Sequence, residues 1–146
     1  SFMRTSVSDI FAAGDITGLS GIWPNAADQG RIAGKNMCGV TAEYTDTYAI
    51  KNTINFFGLV TLCVGRILAE EGDDVHIRED RKIYQRILLK NGKVQGVLLQ
   101  GNIAGAGIWQ YLIKNQIDIR NIKKDIFSIN YADFYHVGER GKYEWV

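Results

Sequence analysis

The chain is poor in the residues that staple, kink or ligate: 146 residues hold one proline, two cysteines and two histidines. Cys38 and Cys63 stand alone, outside any Cys-x-x-Cys pair. Widely spaced cysteines without secretory context read as free, buried thiols in a reducing compartment. A zinc site asks for four ligands, and His76 and His136 are isolated, so no metal is expected. Neither histidine has a nucleophile and an aspartate at a recognisable spacing, which leaves nucleophilic catalysis unsupported. Charge of one sign is lacking too. A formal net charge of +1 gives no basis for binding nucleic acid or a membrane surface. The longest apolar stretch, 56–69, is broken by Gly58, Thr61, Gly65 and Arg66 and does not suit a membrane span. Arg4 is followed by Thr5 and Ser6 rather than an apolar core, so no signal peptide is read there and a cytoplasmic protein is expected.

What is present is ordinary for a folded domain, 46% hydrophobic and 23% charged. Residues 10–13 form a short apolar run ending in Gly14-Asp15, fit for a buried strand and a sharp turn. Pro24 suits the first turn of a helix running to about residue 38, closed by Gly39. Ala26, Gly30, Ala33 and Met37 share one face of it, whose small side chains imply close packing. Residues 41–52 are polar, with Tyr44 and Tyr48, and read as a connector. From Thr53 the character turns toward β. Residues 56–64 are a strand candidate, 70–74 a charged turn, and His76 a surface strand residue. Residues 82–90 and 93–100 flank Asn91-Gly92, a two-residue turn requiring positive φ, and predict a β-hairpin. The spacing predicts a helix over 103–115 and a further short helix over 117–127. The basic string Arg120 to Lys124 reads as a solvated helix face. Tyr131, Phe134, Tyr135, Tyr143 and Trp145 suggest a docked tail, with His136 packed among them. The expected class is α+β: an antiparallel sheet of three to five strands with a β-hairpin and helices on one face, preceded by a strand-helix segment.

Two strings carry chemistry. Thr5-Ser6-Val7-Ser8-Asp9-Ile10-Phe11-Ala12-Ala13-Gly14-Asp15 places a short acceptor and a glycine at a strand's end. Without further context, Asp15 is a turn or cap carboxylate, and Trp23 a hydrophobic staple before a helix. Together with Trp23-Pro24-Asn25-Ala26-Ala27-Asp28-Gln29-Gly30, however, the pattern resembles the second flavin motif of FAD-dependent pyridine nucleotide-disulfide oxidoreductases. The subgroup in question includes NADH-rubredoxin reductases and flavin subunits of nitrite reductases. The resemblance implies that Asp15, after Gly14, meets a ribityl hydroxyl of FAD. It further implies that Trp23 and the backbone of Pro24, Asn25 and Ala26 lie near the isoalloxazine, facing it with a helix amino terminus. Gln29 and Gly30 read as packing rather than contact.

The resemblance covers most of the chain, through Asn55-Phe56-Phe57-Gly58 and Gly101-Asn102-Ile103, although the specific motif lies within 4–39. The family's Gly-x-Gly-x-x-Gly fingerprints are absent. Gly105-Ala106-Gly107-Ile108-Trp109-Gln110 comes near, but Gln110 replaces the third glycine and the later acidic residue is missing, so it reads as a helix start. The resemblance therefore implies a carboxy-terminal part of a longer flavoprotein: a remnant of an FAD-binding domain over 1–40, a connector over 41–52, and an interface or dimerisation domain over 53–146. The parent would carry electrons from NAD(P)H, bound outside this part, through FAD to an acceptor such as rubredoxin, a nitrite-reducing centre, oxygen or a disulfide. The part alone is expected to be inactive, free of flavin and a homodimer. The alternative is a stand-alone dimerising or regulatory α+β module without redox chemistry.

Overall fold

The computed structural model of the protein describes residues 2–46 and 51–145. The chain divides into two compact units, residues 1–52 and 53–146. Tyr48 and the middle of the expected connector, 47–50, lie outside the described residues.

In the first unit a 3-10 turn over Asp15–Thr17 precedes α1, Trp23–Met37. The apolar run at 10–13 pairs with residues 3–5 in a single antiparallel bridge, Phe11 to Arg4. Ala12 N–H donates to Met3 C=O and Thr5 N–H to Ile10 C=O. A strand lengthens only as far as a neighbour supplies partners. Pro24 sits in the first turn of α1, where a missing N–H costs nothing. At the other end Gly39 takes φ 77°. Val40 N–H reaches Lys35 C=O and Gly39 N–H reaches Asn36 C=O, the bond pair of a Schellman stop.

The buried face of α1 is not the one expected. Asn25, Gln29, Ile32 and Ala33 are buried, whereas Gly30 and Met37 are exposed. Ile32 and Ala33 pack with Met3 and Tyr44, flanked by Phe11, Ala13, Leu19 and Ala42. This small cluster pulls the helix round, so Ala33 packs but Gly30 and Met37 of the expected face do not; a Cβ at Gly30 would meet nothing within 4 Å.

The second unit carries β1 (Lys51–Phe56), β2 (Leu59–Gly65), β3 (Asp74–Glu79), β4 (Tyr84–Lys90) and β5 (Lys93–Gln100) in one sheet of order β1-β2-β5-β4-β3. The β4–β5 hairpin turns at Asn91-Gly92 with φ 52° and 77°, pairing Lys90 with Lys93. The single strand expected over 56–64 is instead two strands. Phe57 and Gly58, at φ 50° and 91°, make a second two-residue turn between them. A Phe at positive φ is the signal that composition alone hides.

Helix α2, Gly107–Asn115, packs against β5 and β2. It buries Ile108, Trp109, Leu112 and Ile113, and the sheet buries Leu62, Val64, Ile87, Val94, Val97 and Leu99. The helix expected over 117–127 does not form. Asp118 bridges back to Lys93. Its carboxylate accepts from the Arg120 N–H and guanidinium, and Ile119 N–H donates to Gly92 C=O. Such local side-chain bonds compete with a helix, leaving one 3-10 turn at Ile126–Ser128. Residues 120–124 are thus mostly exposed, as expected, but on a loop.

A loop leaves β2 across Gly96. A Cβ there would lie 1.6 Å from Arg66 C=O, so only glycine allows the crossing. The loop is closed by Arg66 and Asp73, paired through both oxygens at 2.7 and 2.9 Å. Glu70 N–H also donates to Asp73 at 2.8 Å. The Arg66 guanidinium, with that N–H, holds the Asp73 carboxyl down at about 2.

The tail is docked as expected. Trp145, in the short hairpin of β6 (Tyr135–Val137) with β7 (Tyr143–Trp145), has Tyr111, Tyr131, Phe134 and Tyr135 around it at 4.5–5.8 Å between ring centres. Tyr143 and His136 are the exceptions: Tyr143 is 79% exposed, and His136 stands exposed beside Glu144 at 3.4 Å. The cysteines also depart from expectation: both are free, but Cys38 is exposed and Cys63 half-buried, its thiol pushed up by burial. No helix among the described residues is long and apolar enough to cross a membrane, and none of their His, Cys, Asp and Glu side chains cluster as a metal site.

Candidate functional site

The site begins at Gly14. Its backbone, φ 84° and ψ −157°, lies in a region open essentially to glycine alone. Crowding by the chain is not the reason, since a Cβ would stand 3.6 Å from that of Ala26, an ordinary contact. The conformation turns the chain straight from the extended run into the 3-10 turn. Thr17 N–H closes that turn on Gly14 C=O at 3.0 Å, and the Thr17 hydroxyl lies 2.7 Å from the same oxygen. Asp15 is exposed, and among the described residues no hydrogen bond or ion pair engages its carboxylate. It caps nothing, so the plain turn-carboxylate reading has no bond to account for it.

The start of α1 lies against this turn through Ala26. No side chain caps the helix. Pro24 has no N–H and the Ala26 N–H is spent on Ile22 C=O at 3.1 Å. Of the residues 23–26, Trp23 and Asn25 therefore carry the open backbone donors of the first turn, where a helix concentrates partial positive charge. The Asn25 side chain is not available. It is buried and donates to the Tyr44 hydroxyl at 2.6 Å. Trp23 is 84% exposed, which removes the staple reading, and Ile16 is 85% exposed. Large apolar side chains beside an unengaged carboxylate and an uncapped helix make a surface suited to covering a ligand that is apolar at one end and hydroxylated at the other.

Gln29, read from the sequence as packing rather than contact, proves to have a directional role as well. It is wholly buried, and its side-chain oxygen accepts from Gly14 N–H at 2.8 Å, with the Thr17 hydroxyl 3.0 Å away. The available signal was its placement: Asn25 and Gln29 share the helix face with Ile32, and a polar side chain facing a core needs a partner. In the second unit, Gly107 opens α2 as a helix start, with the Tyr131 hydroxyl 2.7 Å from where its Cβ would lie. None of the six site residues expected from the sequence comes from the second unit.

A scan against protein-family models finds no match. Among curated proteins, the chain is 28% identical over 154 residues to pyridine nucleotide-disulfide oxidoreductase domain-containing protein 1 of Drosophila melanogaster, covering 91% of this chain and 33% of that protein. It is 27% identical over 106 residues to the NADH-rubredoxin oxidoreductase of Clostridium acetobutylicum, covering 70% and 28%. Among solved structures, NADH:rubredoxin oxidoreductase from Clostridium acetobutylicum superposes at a TM-score of 0.62 with 25% identity, over 84% of this chain and 33% of that one. LpdA from Mycobacterium tuberculosis shares the fold at a TM-score of 0.56 and 20% identity, over 86% and 32%. The chain spans about a third of the length of these relatives. The curated and solved proteins it matches are pyridine nucleotide-disulfide oxidoreductases, and coverage of about a third of each fits a carboxy-terminal part of such a protein.

Proposed function

We propose that this chain is the carboxy-terminal part of an FAD-dependent NAD(P)H oxidoreductase and supplies one segment of its flavin site. In such an enzyme FAD takes electrons from NAD(P)H and passes them to an acceptor, for which rubredoxin, a nitrite-reducing centre, oxygen or a disulfide are the candidates. Asp15 accepts a ribityl hydroxyl. The open N–H groups of Trp23 and Asn25 face the isoalloxazine, with Pro24 and Ala26 setting the approach of the helix start and Trp23 excluding water. NAD(P)H binds to segments outside this chain. The observation that carries the reading is Gly14 in a glycine-only conformation presenting an unengaged Asp15 beside an uncapped helix.

Residues 53–146 serve as an interface domain and bring two copies together. Ile54, Phe56, Phe57 and Leu59 support this, standing exposed around one hairpin, where burial by a partner would remove apolar surface from water. The same feature favours the second reading, a stand-alone dimerising module without redox chemistry.

One segment of several holds little of a cofactor's binding energy, so the purified chain is expected to be colourless and inactive. A polypeptide extended in frame through an upstream Gly-x-Gly-x-x-Gly segment is expected to retain FAD, and Asp15→Ala to lower that retention. An open reading frame without such a segment would leave only the interaction module.

A further inference from the structure

We infer that Gln29 is the positioning residue of the Gly14–Asp15 turn, holding it in ligand-ready form before any ligand arrives. The amide can be oriented only one way. Gly14 N–H requires an acceptor, and the Gln29 oxygen lies 2.8 Å from it; turning the amide over would set NH2 against N–H. That choice leaves the Gln29 Nε2 buried with no acceptor among the described residues. A buried donor left unpaired is costly, so glutamine here is held for its oxygen and not for cohesion.

The oxygen acts on the residue whose backbone lies in a region open essentially to glycine alone. Gly14 N–H is fixed by Gln29 from one side, and Gly14 C=O by Thr17 N–H and hydroxyl from the other. With both groups of Gly14 held, the direction in which Asp15 leaves the turn is fixed to the frame of α1. The carboxylate and the open helix donors thus form one rigid unit, which lowers the ordering cost of binding. Gln29 touches no proposed ligand atom itself. The purpose assigned to the turn rests on the flavin reading above; the positioning does not.

Residue-resolved amide hydrogen exchange on the whole 146-residue chain tests this, with the Ile32 and Ala33 amides of α1 as internal reference. Gln29→Met keeps length and apolar bulk but removes the acceptor, while Gln29→Glu keeps an oxygen at the same reach and removes the stranded NH2. Gly14 exchange is expected to speed up about tenfold or more relative to the reference in Gln29→Met and to stay near wild type in Gln29→Glu. Protection retained by Met and lost by Glu would mean that Gln29 only fills space. Rapid Gly14 exchange in the wild type would equally overturn the inference. Should Gln29→Met unfold the first unit, Thr17→Val reports on the other side of Gly14, with faster Gly14 and Thr17 exchange expected and no change refuting. The flavin reading fails separately, if Asp15→Ala leaves FAD retention by the extended polypeptide intact while Gly14 stays protected.

Discussion

Gly14→Ala isolates conformation from crowding, because a Cβ at residue 14 has room and the backbone does not. At φ 84° and ψ −157° an L-residue pays at the upper end of backbone strain, about 3 kcal/mol. The turn has one escape, rotating the peptide before residue 14, and that breaks the 2.8 Å bond to the buried Gln29 side chain. The escape itself costs about 1–3 kcal/mol, so it offers little relief. The first unit has a core of four buried apolar residues, Met3, Ile32, Ala33 and Tyr44, and cannot absorb such a loss quietly. Hydrogen exchange at Ile32 and Ala33 in the whole chain should therefore accelerate by roughly 150-fold, the equivalent of about 3 kcal/mol. Gly18→Ala is the control. Gly18 sits at φ 67° and ψ 3° with nothing within 4 Å of an added Cβ, so its cost is the ordinary left-handed one of about 1 kcal/mol, roughly fivefold in exchange. Equal acceleration in the two variants would refute the claim that residue 14 occupies glycine-only space.

Gly96→Ala should act by collision: with Arg66 C=O 1.6 Å from the new Cβ, the loop must leave the sheet, and a loss above about 4 kcal/mol is expected as a fall in melting temperature of more than about 15 °C for the second unit. A fall under about 5 °C would show that the loop does not cross there. Asp73 makes stability depend on acid. Its carboxyl is lowered from 3.8 to about 2 in the folded chain, so its contribution is complete above pH 4 and drains away as pH falls toward 2. The ceiling is about 2.5 kcal/mol, and because residues 70–72 and Asp74 around it are exposed, screening brings the expected value nearer about 1 kcal/mol. Asp73→Asn should remove that part of the acid limb in urea titrations between pH 5 and 2, and an unchanged limb would count against the pair. Among the thiols, exposed Cys38 should react with a maleimide well before half-buried Cys63, whose thiol burial pushes up; mass spectrometry of partly labelled protein decides, and faster labelling of Cys63 would reverse the assignment.

How far the fold was legible in the sequence follows from where each signal is stored. The β4–β5 hairpin was readable because Asn91-Gly92 writes its turn into two residues that accept positive φ cheaply. The β1–β2 hairpin was not, because Phe57 does the same work against its preference. Proline and glycine gave both ends of α1, but not its rotation, since Ala26, Gly30, Ala33 and Met37 form as regular a stripe as the one that is buried. Only the position of Met3 and Tyr44 decides between them, and that is a tertiary fact. The failed helix at 117–127 had helical spacing, but Asp118 and Arg120 satisfy each other locally. At the Gly14–Asp15 turn the motif was legible, and Gln29 was readable as packing but not as a hydrogen-bond partner, because that role lies in one bond across 15 residues.

That bond belongs to a wider pattern, which explains how so small a unit holds a defined turn. Three amide side chains, Asn25, Gln29 and Asn36, lie on one side of α1 at spacings of four and seven. Asn25 holds Tyr44. Gln29 holds Gly14. Asn36 donates to Phe2 C=O at 3.0 Å and to Ala42 C=O at 2.7 Å, and accepts from Ala42 N–H at 3.0 Å. Phe2, Gly14, Ala42 and Tyr44 are thus each tied to one helix by a directional bond. The apolar cluster of Met3, Ile32, Ala33 and Tyr44 supplies cohesion but little direction, since apolar contacts tolerate sliding and rotation. Hydrogen bonds at fixed reach do not. A unit organised this way trades core size for geometry, and under the function proposed above geometry is what a single segment of a composite site has to contribute.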